Sequence, residues 1–212
     1  MVTEIRIYIE GGGDGKNSKS LLHQGFSNFF KDLKAIARSN QIKWDIIMCG
    51  SRNNAFRDFR NAFKTYPSAF IVLLVDSEAP INKPPWEHLK LRDNWDSPNL
   101  DDTHCHLMVQ SMEAWLIADI EALKKYYGQG FKEKTIPTNL NVEKIPKDSL
   151  EPSLKAASCN TSKGEYRKIQ HAAQLLEMID VAKVRKASYY CDRLFITLTQ
   201  KIAEIVENKN NP

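Results

Sequence analysis

Apolar and polar residues alternate along Glu4–Glu10, where three isoleucines are separated by Arg, Tyr and Glu. This period of two predicts a β-strand. A second strand is predicted at Lys43–Cys49, and a third at the unbroken apolar run from Phe70 to Val75. An unbroken run suits a strand that is buried on both faces, as in a parallel sheet covered by helices.

Helical spacing of apolar residues predicts what lies between these strands. One apolar stripe predicts a helix that is capped by Asn17 or Ser18 and runs to about Ser39. A second predicted helix follows Gly50 and ends at Pro67. The order strand–helix–strand–helix–strand is typical of βαβ units with right-handed crossovers, and therefore of a parallel sheet.

The rest of the chain predicts one more strand and several helices. The segment Ile81–Asp102 holds three prolines and two tryptophans, and we expect it to be irregular, with a length that suits a flap or lid. The other predicted elements are a strand at His104–Gln110, a helix at Met112–Tyr127 capped by Ser111, a connector at Gly128–Leu150, and helices near Ser153–Ser158, Glu165–Asp180 and Cys191–Glu207.

We therefore expect an α/β fold with a Rossmann-like, mostly parallel four-stranded sheet flanked by helices. Residues 1–127 form the predicted α/β domain, and residues 128–212 form a helical extension that packs on it as one compact unit. The 212 residues, 42% of them hydrophobic, are enough for one sizeable core.

Composition argues against a membrane or disulfide-bonded protein. No apolar run approaches the roughly 20 residues that span a bilayer, and the first ten residues contain acids and are typical of a strand. Four cysteines are widely scattered without a Cys-x-x-Cys pair, so we expect free thiols in a reducing cytoplasm.

The net charge of +4 is unevenly distributed. Residues 124–186 hold thirteen Lys/Arg and seven Asp/Glu, a balance of +6, so the remainder is slightly acidic. A basic C-terminal half beside an acidic site suits a phosphate-bearing partner that also needs a metal. An ordinary solvated surface explains the same charges equally well.

Three acids stand where predicted strands end. Glu10 closes the first strand, and Asp76 and Glu78 follow the third. Because parallel strands present their carboxyl ends at one edge of a sheet, we expect these carboxylates to converge there. Oxygen-only ligands suit Mg²⁺ or Mn²⁺. The alternative is that Glu10 and Glu78 are solvated turn residues.

Other candidate groups are weaker. The glycine-rich stretch after Glu10 is not a P-loop, because Glu10 stands where the first glycine is required and Asn17 replaces Ser/Thr. The motif His104-x-His106 is more typical of two surface histidines than of a metal site. Cations that could contact phosphates are Lys16, Arg52, Lys163 and Lys168, and His171 could join them if the C-terminal helices cover the sheet edge.

The segments at the ends of the first and third predicted strands resemble those of a known family. The segments Tyr8-Ile9-Glu10-Gly11 and Leu74-Val75-Asp76-Ser77-Glu78 resemble the Toprim domain of topoisomerases, primases and overcoming-lysogenization-defect nucleases. More narrowly, the chain looks like a bacterial domain-of-unknown-function family, number forty-two seventy-six, placed in the Toprim group. The segments Met112-Glu113-Ala114-Trp115 and Tyr166-Arg167-Lys168…His171 carry that narrower resemblance.

The Toprim resemblance implies roles for these residues. Glu10 would be the general acid/base, and Asp76 and Glu78 the magnesium ligands, although the second acid is Glu where the family has Asp. The predicted catalytic residues are Glu10 and Lys168, and the predicted metal ligands are Glu10, Asp76 and Glu78. Supporting or phosphate-contacting residues are Glu113, Arg52, Lys16, Lys163 and His171.

We therefore expect a Mg²⁺- or Mn²⁺-dependent phosphoryl-transfer enzyme, a nuclease acting on DNA or RNA. The resemblance further implies a bacterial defence system with a partner ATPase. Two alternatives stay open, namely a non-catalytic binding or effector module that keeps the Toprim scaffold, and phosphotransfer on a small nucleotide.

Overall fold

The computed structural model describes residues 2–96 and 99–210. At its centre is a four-stranded sheet. Its spatial order is β2-β1-β3-β4, and all three neighbouring pairs are parallel. The strands are β1 (Glu4–Glu10), β2 (Lys43–Gly50), β3 (Ala69–Asp76) and β4 (Cys105–Met108). This arrangement confirms the predicted α/β fold with a mostly parallel sheet and a helical C-terminal region.

Helices flank the sheet. Those in the described residues are α1 (Lys16–Phe29), α2 (Lys31–Ser39), α3 (Arg52–Thr65), α4 (Pro85–Asp93), α5 (Met112–Ile117), α6 (Ile120–Tyr127), α7 (Lys147–Ser158), α8 (Gln170–Met178), α9 (Val181–Ala187) and α10 (Tyr189–Asn210). Single 3₁₀ turns lie at Asp102–His104, Glu133–Thr135 and Val142–Lys144.

Both faces of β3 are buried, which explains its unbroken apolar run. Val72 and Leu74 contribute to the hydrophobic cluster on one face of the sheet, while Ile71, Leu73 and Val75 contribute to the cluster on the other. Successive side chains of a strand point to opposite faces, so a strand covered on both sides needs apolar residues at every position.

The C-terminal helices complete one of these two clusters. Gly25 of α1 lies against α8 so closely that a Cβ there would stand 2.7 Å from the Ala173 carbonyl oxygen. Phe195 of α10 stacks edge-on against Phe29 of α1, with ring centroids 5.6 Å apart. Residues of the α/β part and of the helical part therefore share one core.

Two long predicted helices are each divided in the structure. The first is interrupted at Phe30, whose N–H donates to the Phe26 carbonyl at 3.0 Å, although its apolar stripe continues across the break. Its N-cap is Gly15, so the prediction that Asn17 or Ser18 caps it is wrong. The second is divided before Asp119, whose carboxylate accepts from the Ala122 N–H and so caps α6.

The segment Ile81–Asp102 is not irregular throughout, because α4 lies within it. Pro85 occupies the first helical position, where a missing N–H costs no hydrogen bond. Trp86 and Leu89 of this helix are buried against α3 and β4. The part of the predicted flap at residues 97–98 lies outside the described residues.

Further boundaries differ from the prediction. Ser111 occupies the N-cap position of α5, as predicted, but its hydroxyl donates to the Glu113 carboxylate and makes no capping hydrogen bond. The predicted connector contains two 3₁₀ turns and the start of α7, and α9 was not predicted at all. The predicted helix at Glu165–Asp180 is limited to α8, since residues 165–169 are not helical.

The expectation that His104 and His106 are a plain surface pair is wrong. His106 is fully buried, with Nε2 3.0 Å from the Thr103 carbonyl oxygen and Nδ1 3.1 Å from Arg193 Nη1. Burial, and then the nearby Arg193 charge, lower the pKa of His106 to about 3, so its ring is neutral and structural. His104 Nδ1 meets the Ile71 carbonyl oxygen at 2.6 Å.

The four cysteines are free thiols, as expected, and Cys159 alone among them is exposed. Within residues 2–96 and 99–210, none of the helices combines the length and the apolar content that crossing a bilayer requires.

Candidate functional site

A cleft of about 210 Å³ opens at the carboxyl edge of β1 and β3, where ligands of open parallel sheets bind. Two of the three predicted acids, Glu10 and Asp76, lie in its wall together with Lys168. The lining residues are Glu10, Gly11, Gly12, Gly13, Leu22, Gly50, Asp76, Met108, Met112, Lys168 and Ile169.

Glycines build one wall of this cleft. Gly11 has φ +130°, and a Cβ there would stand 2.8 Å from Leu22 Cδ2. Gly50 has φ +82°, and a Cβ there would stand 2.6 Å from the Gly13 carbonyl oxygen. The two loops are joined by reciprocal backbone hydrogen bonds between Gly11 and Gly50, at 2.8 and 3.0 Å. Only glycine allows this close backbone approach beside the acids.

Glu10 is the last residue of β1. The register of the pairing between β1 and β2 shifts between Ile9 and Glu10, so Glu10 lies outside the regular ladder. Its Oε2 accepts from Arg52 Nη1 at 2.9 Å and from the Asp76 N–H at 3.2 Å. Burial raises the pKa of Glu10, and the Arg52 charge opposes that rise without cancelling it. Glu10 is thus fixed at one oxygen and retains a raised proton affinity.

Arg52 is held between two carboxylates. Its guanidinium donates to both oxygens of Asp93, at 3.0 and 2.7 Å, as well as to Glu10 and to the Asp76 carbonyl at 2.5 Å. Its side chain is only 14% exposed. Arg52 therefore joins the end of α4 to the carboxyl edge of the sheet.

Asp76 ends β3 and is almost fully buried. Its Oδ1 accepts from the Met112 N–H at 2.9 Å, at the start of α5. Burial, followed by repulsion from Glu10 and Glu113, raises the pKa of Asp76 to about 8. Burial therefore contributes most to the raised proton affinity of Asp76, and the neighbouring carboxylates add to it.

Glu113 lies beneath the cleft and reaches Lys168. It is 1% exposed, and it accepts from Ser111 Oγ at 2.8 Å and from the Tyr166 hydroxyl at 3.1 Å. Lys168 Nζ lies 3.7 Å from Glu113 Oε1. Burial tends to lower the pKa of Lys168, but Glu113 and Asp76 outweigh this and raise it, so the ammonium stays charged.

The third predicted acid, Glu78, lies outside the cleft lining. Its carboxylate pairs with Lys147 and lies 3.5 Å from Arg92. Burial opposes ionisation of Glu78, but Lys147 and then Arg92 lower its pKa overall. The role of Glu78 as a metal ligand stays a prediction, and it would require the carboxylate to leave its two cations.

The remaining predicted residues lie around the cleft, not in its wall. Lys16 is exposed at the start of α1. Lys163 Nζ lies 4.6 Å from the centre of the Tyr126 ring. His171 is buried, with Nδ1 3.0 Å from the Tyr127 hydroxyl and Nε2 3.3 Å from the Arg167 guanidinium.

Each of the two cleft acids has one carboxylate oxygen that is not engaged by the described residues. Glu10 Oε1 and Asp76 Oδ2 accept no hydrogen bond from the described residues, so each carboxylate has an oxygen to offer. Magnesium is commonly held by one or two carboxylates together with waters and substrate phosphates. Within the described ranges, no group of three His, Cys, Asp or Glu side chains is placed to hold a metal ion.

Two residues that hold the site from a distance were not among the predicted site residues. Asp93 fixes Arg52, and Tyr166 fixes Glu113. Asp93 gave no signal in the sequence, because α4 itself was not predicted. Tyr166 is a large aromatic residue between charged neighbours, and such a residue in a polar segment is a recognisable candidate for an anchor.

Comparison with known proteins shows the family of this chain. A family model described as "Domain of unknown function (DUF4276)" matches residues 9–199, and so spans both the cleft and the C-terminal helices. No curated protein and no solved structure matches the chain.

Proposed function

The chain belongs to the DUF4276 family, and we propose that its cleft is the active site of a magnesium-dependent nuclease that hydrolyses phosphodiester bonds of DNA or RNA on a Toprim-like scaffold. Manganese would serve in place of magnesium, because both ions favour oxygen ligands.

One observation carries this proposal, namely two carboxylates that share one cleft and whose pKa values are both raised, chiefly by burial. Glu10 and Asp76 come from neighbouring parallel strands, and the pKa of Asp76 is raised to about 8. Titratable groups with strongly shifted pKa values in a cleft are characteristic of functional sites. Desolvated carboxylates of this kind favour a divalent cation as the compensating charge.

The side chains suggest a division of roles. Glu10 and Asp76 would hold the metal, and Glu10, whose pKa is raised, would also transfer a proton during hydrolysis. Lys168 would face a phosphate oxygen, held in place by Glu113. A bound Mg²⁺ neutralises phosphate charge and makes water more acidic, which is the chemistry that phosphodiester hydrolysis requires.

A second candidate function is favoured by the ion pairs. Glu10 is paired with Arg52, and Glu78 with Lys147 and Arg92, so two of the three predicted acids already have counter-charges. This arrangement suits a non-catalytic module that keeps the scaffold and acts by binding, for example beside a partner ATPase in a bacterial defence system.

Cleavage assays on plasmid DNA and on RNA test the nuclease proposal. We expect cleavage with Mg²⁺ or Mn²⁺ and none with a chelator. Glu10→Gln should lower the rate by roughly 10²- to 10⁴-fold, because it removes both a metal ligand and the proton-transfer group. Glu78→Gln should keep most of the rate, since its carboxylate is engaged elsewhere.

The matched control is Glu121→Gln, which removes an exposed carboxylate from α6 and should leave the rate unchanged. Equal cleavage by the wild type and Glu10→Gln would contradict the nuclease assignment. Absence of cleavage together with unchanged folding would favour the binding module.

A further inference from the structure

A second concave surface adjoins the cleft on the C-terminal side. We call it the basic groove; it is about 650 Å³ and runs between α7 and the segment 163–168. Four cations and two acids line it, and Lys168 lines both this groove and the cleft. The charged lining residues are Lys155, Lys163, Arg167, Lys168, Glu151 and Glu165.

The segment that carries these cations is anchored to the core. Tyr166 is 1% exposed; its N–H donates to Ser158 Oγ at 2.7 Å and its hydroxyl to Glu113 at 3.1 Å. Its neighbours Arg167 and Lys168 remain exposed. The buried tyrosine therefore fixes the backbone from which the two cations project, so a ligand would not have to order this segment.

Two groove cations are not neutralised by carboxylates. Lys163 Nζ lies 4.6 Å from the centre of the Tyr126 ring, and Arg167 contacts the ring of His171; neither forms an ion pair with a described residue. Lys155, by contrast, is paired with Glu151 at 2.8 Å. The pKa of His171 is lowered by burial and then by Arg167 and Lys163, which indicates a positive potential at this place.

Resting on the proposed function, we propose that the basic groove binds successive phosphates of a polynucleotide strand and leads that strand past Lys168 into the cleft. Lys163 and Arg167 would each contact a phosphate upstream of the bond that is cut. The groove's aromatic residue, Tyr166, is buried and offers no face for base stacking. Binding would then depend on the backbone and be independent of sequence.

The test measures oligonucleotide binding without cleavage. A fluorescein-labelled oligonucleotide is titrated with protein in a chelator, and anisotropy is followed between roughly 50 and 200 mM salt. The double variant Lys163→Ala/Arg167→Ala should bind roughly tenfold more weakly at the lowest salt. It should also flatten the slope of log affinity against log salt by about 2, one for each lost phosphate contact.

The matched control is Arg60→Ala/Lys64→Ala, which removes two exposed cations from α3 on the opposite face of the sheet. It should leave both affinity and slope unchanged. Lys163→Ala alone, which leaves His171 and its Arg167 contact intact, should give about half of the slope change.

Three outcomes would overturn the proposal: no binding by the wild type, equal losses in the two double variants, or an unchanged salt slope. Hydrolysis of a small chromogenic phosphodiester is measured separately, because this substrate tests the nuclease assignment without needing the groove. If that substrate is hydrolysed with Mg²⁺ but the groove variants bind polynucleotides normally, the cleft acts on phosphodiesters and the groove does not guide them.

Discussion

Asp76→Asn should raise the free energy of unfolding of the metal-free protein by roughly 3 to 5 kcal/mol at about pH 8. The pKa of Asp76 is raised to about 8 in the folded state, against an unfolded value near 4. Folding therefore disfavours the charged form. The asparagine keeps an oxygen that can accept from the Met112 N–H, but brings no charge into the cleft.

The pH dependence follows from the sign of the shift. Because the folded pKa lies above the unfolded one, the wild type is most stable below about pH 4 with respect to this group. That stability is lost as pH rises through about 8. The advantage of Asp76→Asn should therefore be small near pH 4, grow by about 1.4 kcal/mol per pH unit above it, and level off above pH 8.

Urea denaturation at several pH values, with a chelator present, measures this difference. Asp58→Asn is the matched control, because it makes the same change on α3 at a carboxylate that is one-third exposed. It should shift stability by less than about 0.5 kcal/mol. A destabilised Asp76→Asn, or a difference that does not depend on pH, would contradict the account of the buried charge.

Arg52→Met should have the opposite effect and lower the free energy of unfolding by roughly 3 to 5 kcal/mol near pH 7. It leaves the partly buried carboxylate of Glu10 without its cation and leaves Asp93 paired with Arg92 alone. Cleavage should fall as well, because Arg52 fixes the orientation of Glu10 and ties α4 to the site.

A double-mutant cycle shows whether the pair itself is responsible. Arg52→Met/Asp93→Asn should be less destabilised than the sum of its two single variants, by about 1 kcal/mol or more. Arg57→Met, at an exposed arginine five residues along the same helix, should cost less than about 0.5 kcal/mol. Additive single and double variants would show that Arg52 and Asp93 do not interact energetically.

The convergence of Glu10 and Asp76 could be predicted because it follows from backbone rules. Glu10 closes a strand of alternating residues and Asp76 closes an unbroken apolar run. Right-handed βαβ crossovers make those two strands parallel. Parallel strands present their ends at a common edge, so two sites 66 residues apart in sequence become neighbours. This part of the prediction needed no knowledge of side-chain contacts.

The contacts that hold the acids could not be predicted in the same way. Arg52 meets Asp93 across 41 residues, and Tyr166 meets Glu113 across 53. Such pairs depend on how helices are placed above the sheet, and hydrophobic periodicity does not encode that placement. Glu78 shows the consequence, because its position beside Asp76 in sequence suggests a ligand while its side chain pairs with Lys147.

The predicted helix boundaries were wrong where the hydrophobic pattern or the prolines of a segment suggested a different structure. The apolar stripe of α1 continues into α2 without a proline or glycine at Phe30, so the sequence favours one helix. In α4 the opposite occurs, because two prolines suggest an irregular segment although Pro85 is well suited to the first turn.

Calorimetric titration of Mg²⁺ into the metal-free protein at pH 7 tests the central claim most directly, when it is repeated in buffers of different ionisation enthalpy. With an Asp76 pKa of about 8, the carboxyl is mostly protonated at this pH, so binding should release protons, approaching one per ion. Asp76→Asn should show neither the saturable heat nor the proton release. If the wild type gives no saturable heat, or gives heat that neither the buffer nor Asp76→Asn alters, Glu10 and Asp76 do not form a metal site.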